Sequence, residues 1–359
     1  MTEDKIFTAI GLMSGTSLDG VDIALLKSDG VSIMSIGPFD SVPYQARFKQ
    51  RLFNQLGQVS VPKALEEELT LIHANVICDF MKINNISKSD IDVIGFHGQT
   101  IYHNPEEKLT FQIGDGCLLA KLLDLKVVNN FRLSDVENGG QGAPLVPIYH
   151  QTLAKDIKKP LAIINIGGVS NVTFIGNQEL IAFDTGPGNA PLDDIVFKRL
   201  GLSFDKNGEI AQSGVINKSI LKKFLSHSFF ARPPPKTLDR NSFNYRDLLD
   251  CEIEDALATV IEFIAKSISK SQDYFPQVVD NWYVSGGGSY NITLMKAISE
   301  ALNFDVFPVN KLGWNADALE AQAFAFLAVR SLLGMPISFP NTTGVSKAMT
   351  GGVINIPPR

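Results

Sequence analysis

The order of predicted secondary structure repeats between the two halves of the sequence, and this repeat is the strongest constraint on the fold. In the first half, short apolar stretches predict strands at 6–12, 21–27 and 31–36, followed by a helix at 62–82, a strand at 91–96, a helix at 115–124 and a strand at 126–129. Apolar residues recur at three- and four-residue steps through 62–82, the pattern of an amphipathic helix.

The second half repeats this order. Strands are predicted at 161–166, 169–175 and 179–183, then helices at 190–200, 217–225 and 250–269, a strand at 281–285, a helix at 291–302, a strand at 304–309 and a helix at 316–333. Repetition of a whole supersecondary order indicates two related units. We therefore predict an α/β fold with two similar domains, each a mixed sheet flanked by helices.

The length of 359 residues also favours two domains over one hydrophobic core. We place the domains at 1–137 and 138–359, and expect the last residues to pack back on the first domain. The glycine-rich run 139–142 lies between the halves and is a candidate hinge.

Composition excludes several classes of protein. Hydrophobic residues make up 45% and charged residues 19%, which is typical of a globular chain, and no apolar run is long enough to span a bilayer. A net charge of −6 without a Lys/Arg stripe argues against nucleic-acid binding. The three cysteines form no CxxC pair, and we expect a protein of the reducing cytoplasm with no export signal and no membrane partner.

The segment Gly15-Thr16-Ser17-Leu18-Asp19-Gly20, continued by Val21 and Asp22, joins the first two predicted strands. It lacks the lysine of a Walker A loop, and it leads into a strand where a dinucleotide-binding motif would lead into a helix. A glycine-rich hairpin can turn successive N–H groups towards an anion, and two carboxylates beside it could hold Mg²⁺, directly or through water. An ordinary Asp-Gly hairpin turn is the alternative.

The second half carries Gly167-Gly168 at the same point, between its first two strands. We expect the two hairpins to face each other across a nucleotide cleft between the domains. Gly286-Gly287-Gly288 follows a predicted strand and precedes a helix, where a nucleotide could approach the backbone closely. A tight strand–helix turn is the alternative for this run.

Three further positions are candidates for chemistry. Asp184 follows the third strand of the second half, where it could act as a general base or merely cap the next helix. His97, Gln99 and Thr100 follow a strand and could bind a polar substrate or support a loop. Glu320 lies in an apolar helix, and an inward-facing carboxylate there would be a site candidate.

Together these residues resemble the anhydro-N-acetylmuramic acid kinase family, within the sugar kinase, heat-shock-70 and actin fold group. The resemblance runs from Gly11 to about Gly352 and rests on motifs at 13–22, 96–101, 112–115, 139–147, 165–168, 183–189 and 285–288. It implies the actin-like ATPase (ribonuclease H-like) type of domain. It also implies a homodimer that acts on ATP and 1,6-anhydro-N-acetylmuramic acid, with Mg²⁺.

The resemblance implies roles for individual residues. Asp184 would activate water, Glu320 would be the second acidic residue of the site, and 15–22, 167–168 and 286–288 would bind ATP. The sugar would be bound by His97, Gln99, Thr100, Gln112, Gly186 and Asn189. The chain departs from the family at Asn130, where an acidic residue is usual, and at 236–241, where the usual glycine is missing. The rival interpretations are an actin- or chaperone-like ATPase and a sugar-sensing binding protein.

Overall fold

The computed structural model describes residues 5–15 and 18–358. Contacts between Cα atoms divide the chain into two compact units. Unit 1 contains the residues up to Asp156 together with those from Ala318 onward, and unit 2 is Ile157–Asp317. The domain boundary between 137 and 138 stays a prediction.

The strands, in chain order, are β1 Phe7–Ser14, β2 Gly20–Ser28, β3 Ile33–Pro43, β4 Val93–Asn104, β5 Leu109–Ile113, β6 Val127–Asn129, β7 Leu161–Ile166, β8 Val169–Ile175, β9 Leu180–Pro187, β10 Asn281–Ser285, β11 Val306–Pro308 and β12 Val353–Asn355. The helices are α1 Ala46–Phe53, α2 Lys63–Ile83, α3 Gly116–Leu123, α4 Leu133–Glu137, α5 Pro147–Leu153, α6 Ala190–Leu200, α7 Glu209–Gln212, α8 Lys218–Leu225, α9 Ile253–Ser269, α10 Ile292–Leu302 and α11 Leu319–Leu332.

The sheets of the two units share one strand order, which confirms the predicted repeat. In unit 1 the order is β3-β2-β1-β4-β6, with β12 added beyond β6 and β5 paired to β4. In unit 2 it is β9-β8-β7-β10-β11. In unit 1, β1, β2 and β3 are antiparallel to their neighbours in this series, and β4 and β6 run parallel to β1. In unit 2, β7, β8 and β9 are likewise antiparallel, and β10 and β11 run parallel to β7. The fold is therefore α/β with two similar units, each a mixed sheet with helices.

Several predicted boundaries were wrong in an informative way. The strand predicted to end at Gly98 continues to Asn104 and forms a hairpin with β5, because Gly98 adopts a φ of 71° that carries the chain through an irregularity in the sheet. The short elements α1, α5 and β12 were not predicted. Their stability comes from neighbours that are distant in sequence, which periodicity does not reveal.

Helix starts follow the capping rules. Asp115 accepts a hydrogen bond from Leu118 N at the start of α3, and Asn291 accepts one from Leu294 N at the start of α10. Asn217 caps α8 in the same way. These side chains explain why the predicted helices begin within a residue or two of the observed ones.

Helix α11 packs against the sheet of unit 1 at two glycines. Gly11 of β1 and Gly95 of β4 are register partners. A Cβ atom on Gly11 would lie 1.9 Å from the Ala321 carbonyl oxygen, and one on Gly95 would lie 2.1 Å from that of Phe324. The helix backbone therefore rests directly on the backbone of the two strands.

The direction of α11 is set at its other end. Arg330, near the end of the helix, donates from Nη1 to the carbonyl of Gly30 at 2.6 Å. Gly30 follows β2, whose last residue Ser28 pairs with Phe7 at the start of β1. Helix α11 thus ends near the start of β1. Its first turn, which contains Glu320, lies towards the end of β1.

Replacing Gly11 by alanine is expected to destabilise unit 1 by at least about 3 kcal/mol, because the new methyl group meets backbone atoms that no rotamer change can move. Gly334→Ala is the matched control. Gly334 has a φ of 67° and open space around its Cβ position, so that the cost there is about 1–2 kcal/mol of backbone strain. Urea unfolding followed by circular dichroism measures the free energy of unfolding of both variants. Equal costs in the two variants would contradict the close contact.

Candidate functional site

Backbone hydrogen bonds hold the hairpin between β1 and β2 on both sides of its turn. Leu18 N donates to the Gly15 carbonyl at 3.1 Å, and Tyr44 N donates to the Asp19 carbonyl at 3.0 Å. Leu18 has a φ of 58°, unusual for a leucine, while its side chain is only 2% exposed in the core of unit 1. Thr16 and Ser17 lie outside the described residues.

Two other residues of this segment can offer a ligand only their backbone. A Cβ atom on Gly20 would lie 2.2 Å from the Val42 carbonyl oxygen, so that the strand tolerates only glycine there. The Val21 side chain is fully buried in the same core. Gly20 and Val21 can therefore contact an anion only through main-chain groups.

The two aspartates of the segment already have protein partners. Asp19 Oδ1 lies 2.7 Å from Lys49 Nζ in an exposed ion pair, and Asp22 Oδ1 accepts from Ser41 Oγ at 2.6 Å. Among the described residues, no group of three or more His, Cys, Asp or Glu could hold a metal ion. Two carboxylates nevertheless fit Mg²⁺, which is usually bound by one or two carboxylates, water and phosphate oxygens.

A hydrogen-bond network joins the end of β1 to β4. Ser14 Oγ donates to Gln99 Oε1 at 2.6 Å and lies 2.9 Å from the Tyr44 hydroxyl, while Gln99 Nε2 donates to the Gly15 carbonyl at 3.1 Å. The register shifts here, since Leu12 pairs with Phe96 but Ser14 pairs with Gln99. The extra residue on β4 turns Gln99 towards the hairpin. Sequence patterns did not single out Ser14 or Tyr44.

His97 is held as a neutral imidazole. Its Nδ1 lies 2.8 Å from the Gly98 carbonyl oxygen and donates to it, and its Nε2 accepts from Arg132 Nε at 3.1 Å. The ring packs on Phe324 of α11 with centroids 4.6 Å apart. Burial first, and the Arg132 charge second, hold the pKa of His97 well below its ordinary value. His97 is therefore a hydrogen-bonding group rather than a cation.

Thr100 and Gln112 face each other across β4 and β5. They are register partners, and Gln112 Nε2 donates to Thr110 Oγ1 at 2.7 Å and to Thr100 Oγ1 at 3.4 Å. Gln112 is 9% exposed. The structure thus brings His97, Gln99, Thr100 and Gln112 together on adjacent strands of unit 1.

The glycine-rich run 139–142 is held by hydrogen bonds to other residues of unit 1. Gly142 N donates to Asp135 Oδ1 at 2.6 Å, and a Cβ on Gly140 would lie 2.1 Å from the same oxygen. Gln141 N donates to the Thr343 carbonyl at 2.6 Å, and Arg132 Nη1 donates to the Gly142 carbonyl at 2.8 Å. The run therefore packs against a buried carboxylate, and a hinge role stays a prediction.

Glu320 lies in the first turn of α11, partly exposed. The positive end of the helix dipole favours a carboxylate at this position. Because the glycine contacts direct this end of α11 towards the end of β1, Glu320 lies in the same part of unit 1 as the hairpin. The inward-facing orientation that would make Glu320 a site residue stays a prediction.

Asp184 lies inside β9, where the register shifts. Ser170 pairs with Gly186 and Asn171 with Asp184, so that β9 carries one extra residue at this point. Asp184 is 9% exposed, its N–H donates to the Lys236 carbonyl at 3.0 Å, and its Oδ2 accepts from Leu238 N at 2.8 Å. Because Asp184 lies within a strand and α6 begins only after Asn189, the helix-cap alternative is wrong.

The turn at Gly167 and Gly168 is bonded to the segment that follows β9. Gly188 N donates to the Gly168 carbonyl at 3.0 Å, and Asn189 N donates to the Gly167 carbonyl at 2.7 Å. A Cβ atom on Gly188 would lie 2.3 Å from the Gly167 oxygen. The predicted site residues 167–168, 184, 186 and 189 therefore form one group in unit 2.

The run 286–288 packs onto the end of β7. Gly286 has a φ of 75°, and a Cβ atom there would lie 2.6 Å from Asn165 Oδ1. A Cβ atom on Gly288 would lie 2.5 Å from the Ile166 side chain. A short 3-10 helix, Gly287–Tyr290, separates the turn from α10. Gly286 and Gly288 are therefore required for packing, whether or not a ligand binds there, whereas a Cβ atom on Gly287 would lie 3.4 Å from Asn189 Nδ2.

The shared sheet order defines an α/β protein built from two similar mixed-sheet units. The family model described as anhydro-N-acetylmuramic acid kinase matches residues 7–357. The chain belongs to the anhydro-N-acetylmuramic acid kinase family.

Named relatives agree with this assignment over nearly the full length. A protein of Rhodopseudomonas palustris called anhydro-N-acetylmuramic acid kinase is 48% identical, over 98% of this chain and 100% of its own. One of Paramagnetospirillum magneticum with the same name is 47% identical, over 97% of this chain and 99% of its own.

Solved structures resemble the chain more distantly. Component A of (R)-2-hydroxyglutaryl-CoA dehydratase from Acidaminococcus fermentans is 13% identical with a TM-score of 0.48, and the match covers 91% of this chain and 99% of that one. We draw nothing about function from a likeness at this distance. Within the described part of the chain, no helix has the length and apolar character needed to cross a bilayer.

His97 is expected to stay neutral, with its proton on Nδ1, as the pH falls through the ordinary imidazole value of 6.5. Nitrogen-15 NMR of the imidazole measures this state, and a ring that titrates near the ordinary value of 6.5 would contradict it. The unfolded chain takes up a proton near 6.5 and folded His97 does not, so that acidification favours unfolding. His97→Gln should therefore lose less stability than wild type on acidification, by up to about 1.4 kcal/mol per pH unit below 6.5.

Proposed function

We propose that the protein is an ATP-dependent kinase that converts 1,6-anhydro-N-acetylmuramic acid and water into N-acetylmuramic acid 6-phosphate, opening the 1,6-anhydro ring, in the recycling of cell-wall peptidoglycan. The observation that carries the proposal is Asp184, a carboxylate 9% exposed at a strand irregularity, with one oxygen oriented by a backbone N–H. Membership of the family supports the choice of sugar.

In this proposal Asp184 is the general base. It takes a proton from water, the water oxygen bonds to the anomeric carbon, and the bond from that carbon to O6 breaks. O6 then bonds to the γ-phosphorus of ATP, and the bond from phosphorus to the β,γ-bridging oxygen breaks to release ADP. Orientation of one carboxylate oxygen by Leu238 N restricts Asp184 to a narrow range of positions, as base catalysis requires.

The nucleotide is assigned to the glycine-rich segments. We propose that residues 15–22 bind the phosphates chiefly through main-chain N–H groups, because Gly20 and Val21 offer nothing else. Residues 167–168 are assigned to the phosphates as well, and 286–288 to the adenosine. Backbone donors in glycine turns recognise phosphate without the cost of ordering long side chains.

The sugar is assigned to neutral hydrogen-bonding groups and one carboxylate. We propose that its polar substituents are bound by His97, Gln99, Thr100, Gln112, Gly186 and Asn189. Glu320 is the second acidic residue of the site. Both ring nitrogens of His97 already bond to protein groups, Nδ1 to the Gly98 carbonyl and Nε2 to Arg132, so that the neutral ring adds no charge and bonds to the sugar only by exchanging one of these bonds.

Asp19 and Asp22 are the proposed residues for Mg²⁺, directly or through water. When bound, the ion would neutralise charge on the nucleotide phosphates. We further propose that the enzyme is a homodimer and works in the cytoplasm, where ATP is available.

The assay that tests the function measures ATP turnover with and without 1,6-anhydro-N-acetylmuramic acid, in water enriched in oxygen-18. We expect turnover only with sugar, and early product with one heavy oxygen at the anomeric carbon and none in the phosphate. Simple ATP hydrolysis would instead put the label into phosphate. Turnover that does not depend on the sugar would support an actin- or chaperone-like ATPase, and sugar binding without turnover would support a sensor.

Asp184→Asn is expected to lower product formation by at least about 1,000-fold, because the amide cannot accept the proton of water. The amide oxygen can still accept from Leu238 N, so that nucleotide binding and melting temperature should stay near wild type. Equilibrium titration with a fluorescent ATP analogue checks the binding. A product rate within tenfold of wild type would remove Asp184 as the base.

A further inference from the structure

Lys236 is a buried lysine in the proline-rich segment of unit 2. It is 3% exposed, and its ammonium donates to the carbonyls of Arg232 at 2.9 Å and Phe229 at 3.3 Å. The nitrogen also lies over three aromatic rings, 4.6 Å from the centroid of Phe229, 5.0 Å from that of Tyr274 and 5.8 Å from that of Phe183. Carbonyl oxygens and ring faces together replace much of the water that the ammonium loses.

The backbone around this lysine holds Asp184 from two sides. The Lys236 carbonyl accepts the Asp184 N–H at 3.0 Å, and Leu238 N donates to Asp184 Oδ2 at 2.8 Å. Residues 236–238 thus act as a clamp on the residue proposed as the base. A displacement of this short segment would move the carboxylate or leave it without its backbone donor.

The segment before the clamp has no backbone donor over three successive residues, and the Tyr274 hydroxyl donates to the carbonyls of Phe230 at 3.4 Å and Arg232 at 3.3 Å. Pro233, Pro234 and Pro235 carry no N–H groups and cannot form a ladder of backbone hydrogen bonds with a neighbouring strand. The ammonium of Lys236 supplies donors in their place, since it reaches back to the carbonyls of residues 229 and 232. Its aliphatic chain and charge therefore connect the clamp to the aromatic cluster.

We infer that Lys236 is a positioning residue for Asp184, holding the 236–238 clamp in place through its buried ammonium. This inference rests on the proposed role of Asp184 as the base. It assigns a function in the reaction to a side chain that touches neither substrate.

The Lys236 ammonium loses its proton within a pH range that an enzyme assay can cover, and the pH dependence of kcat can therefore test the inference. Burial is the main cause that lowers its pKa to about 8, followed by the nearby charges of Arg232 and Lys270. The other titratable groups around it are Tyr274, whose ring lies under the ammonium, and Asp184, bound through its backbone. The ammonium is thus charged at neutral pH and loses its proton just above it.

The experiment compares Lys236→Met, Lys236→Arg and the control Lys266→Met, an exposed lysine of α9 paired with Glu262. Methionine fills similar space but has no donor or charge, and we expect kcat to fall about 100-fold, with the KM for ATP within threefold of wild type. Arginine keeps donors and charge and should retain at least about a tenth of the wild-type kcat. The Lys266→Met control should keep the kcat of wild type.

The pH profile separates positioning from mere structural support. Wild-type kcat should decline above about pH 8, as the ammonium loses its proton and its hydrogen bonds weaken. The Lys236→Arg enzyme should lack this decline up to pH 9.5, since guanidinium stays charged. This comparison also decides the matter if the methionine variant does not fold.

Some results would overturn the inference. These are a methionine variant with kcat within threefold of wild type, or identical alkaline limbs in wild type and Lys236→Arg. Failure of the proposed function looks different. In that case wild type would form no phosphorylated product, or Asp184→Asn would retain it, whatever happens at Lys236.

Discussion

The contact between α11 and two glycines of unit 1 sets the direction of the helix that carries Glu320. With Gly11 and Gly95 beneath it, the helix backbone touches the strands directly, and its direction brings Glu320 towards the hairpin. A larger residue at either glycine would lift the helix and with it Phe324, on which the His97 ring packs. The chemistry of unit 1 therefore depends on a contact that contains no functional group.

Strand irregularities accompany candidate site residues in both units. In unit 1 an extra residue on β4 turns Gln99 to Ser14, and in unit 2 an extra residue on β9 accompanies Asp184. A regular strand would direct side chains alternately to its two faces. The irregularities break that alternation where the site needs it, and backbone bonds from neighbouring segments stabilise the result.

Sequence patterns predicted the repeated strand order, the long helices and the candidate glycine turns, because these depend on local periodicity and on glycine. They did not predict the hydrogen bonds of Ser14 with Tyr44 and Gln99. These two residues lie 30 and 85 positions after Ser14 in the chain. The same holds for the clamp on Asp184, which a proline-rich segment some fifty residues later provides. Within that segment Lys236 is buried, with 3% of its surface exposed. Long-range pairing of this kind leaves no periodic signal.

Leu18 has a consequence for how the hairpin recognises a ligand. Its left-handed backbone is costly for a leucine, and the fully packed side chain offsets that cost before any ligand arrives. Core packing thus fixes Leu18 in its left-handed conformation, and a ligand that binds beside it would not have to order this residue.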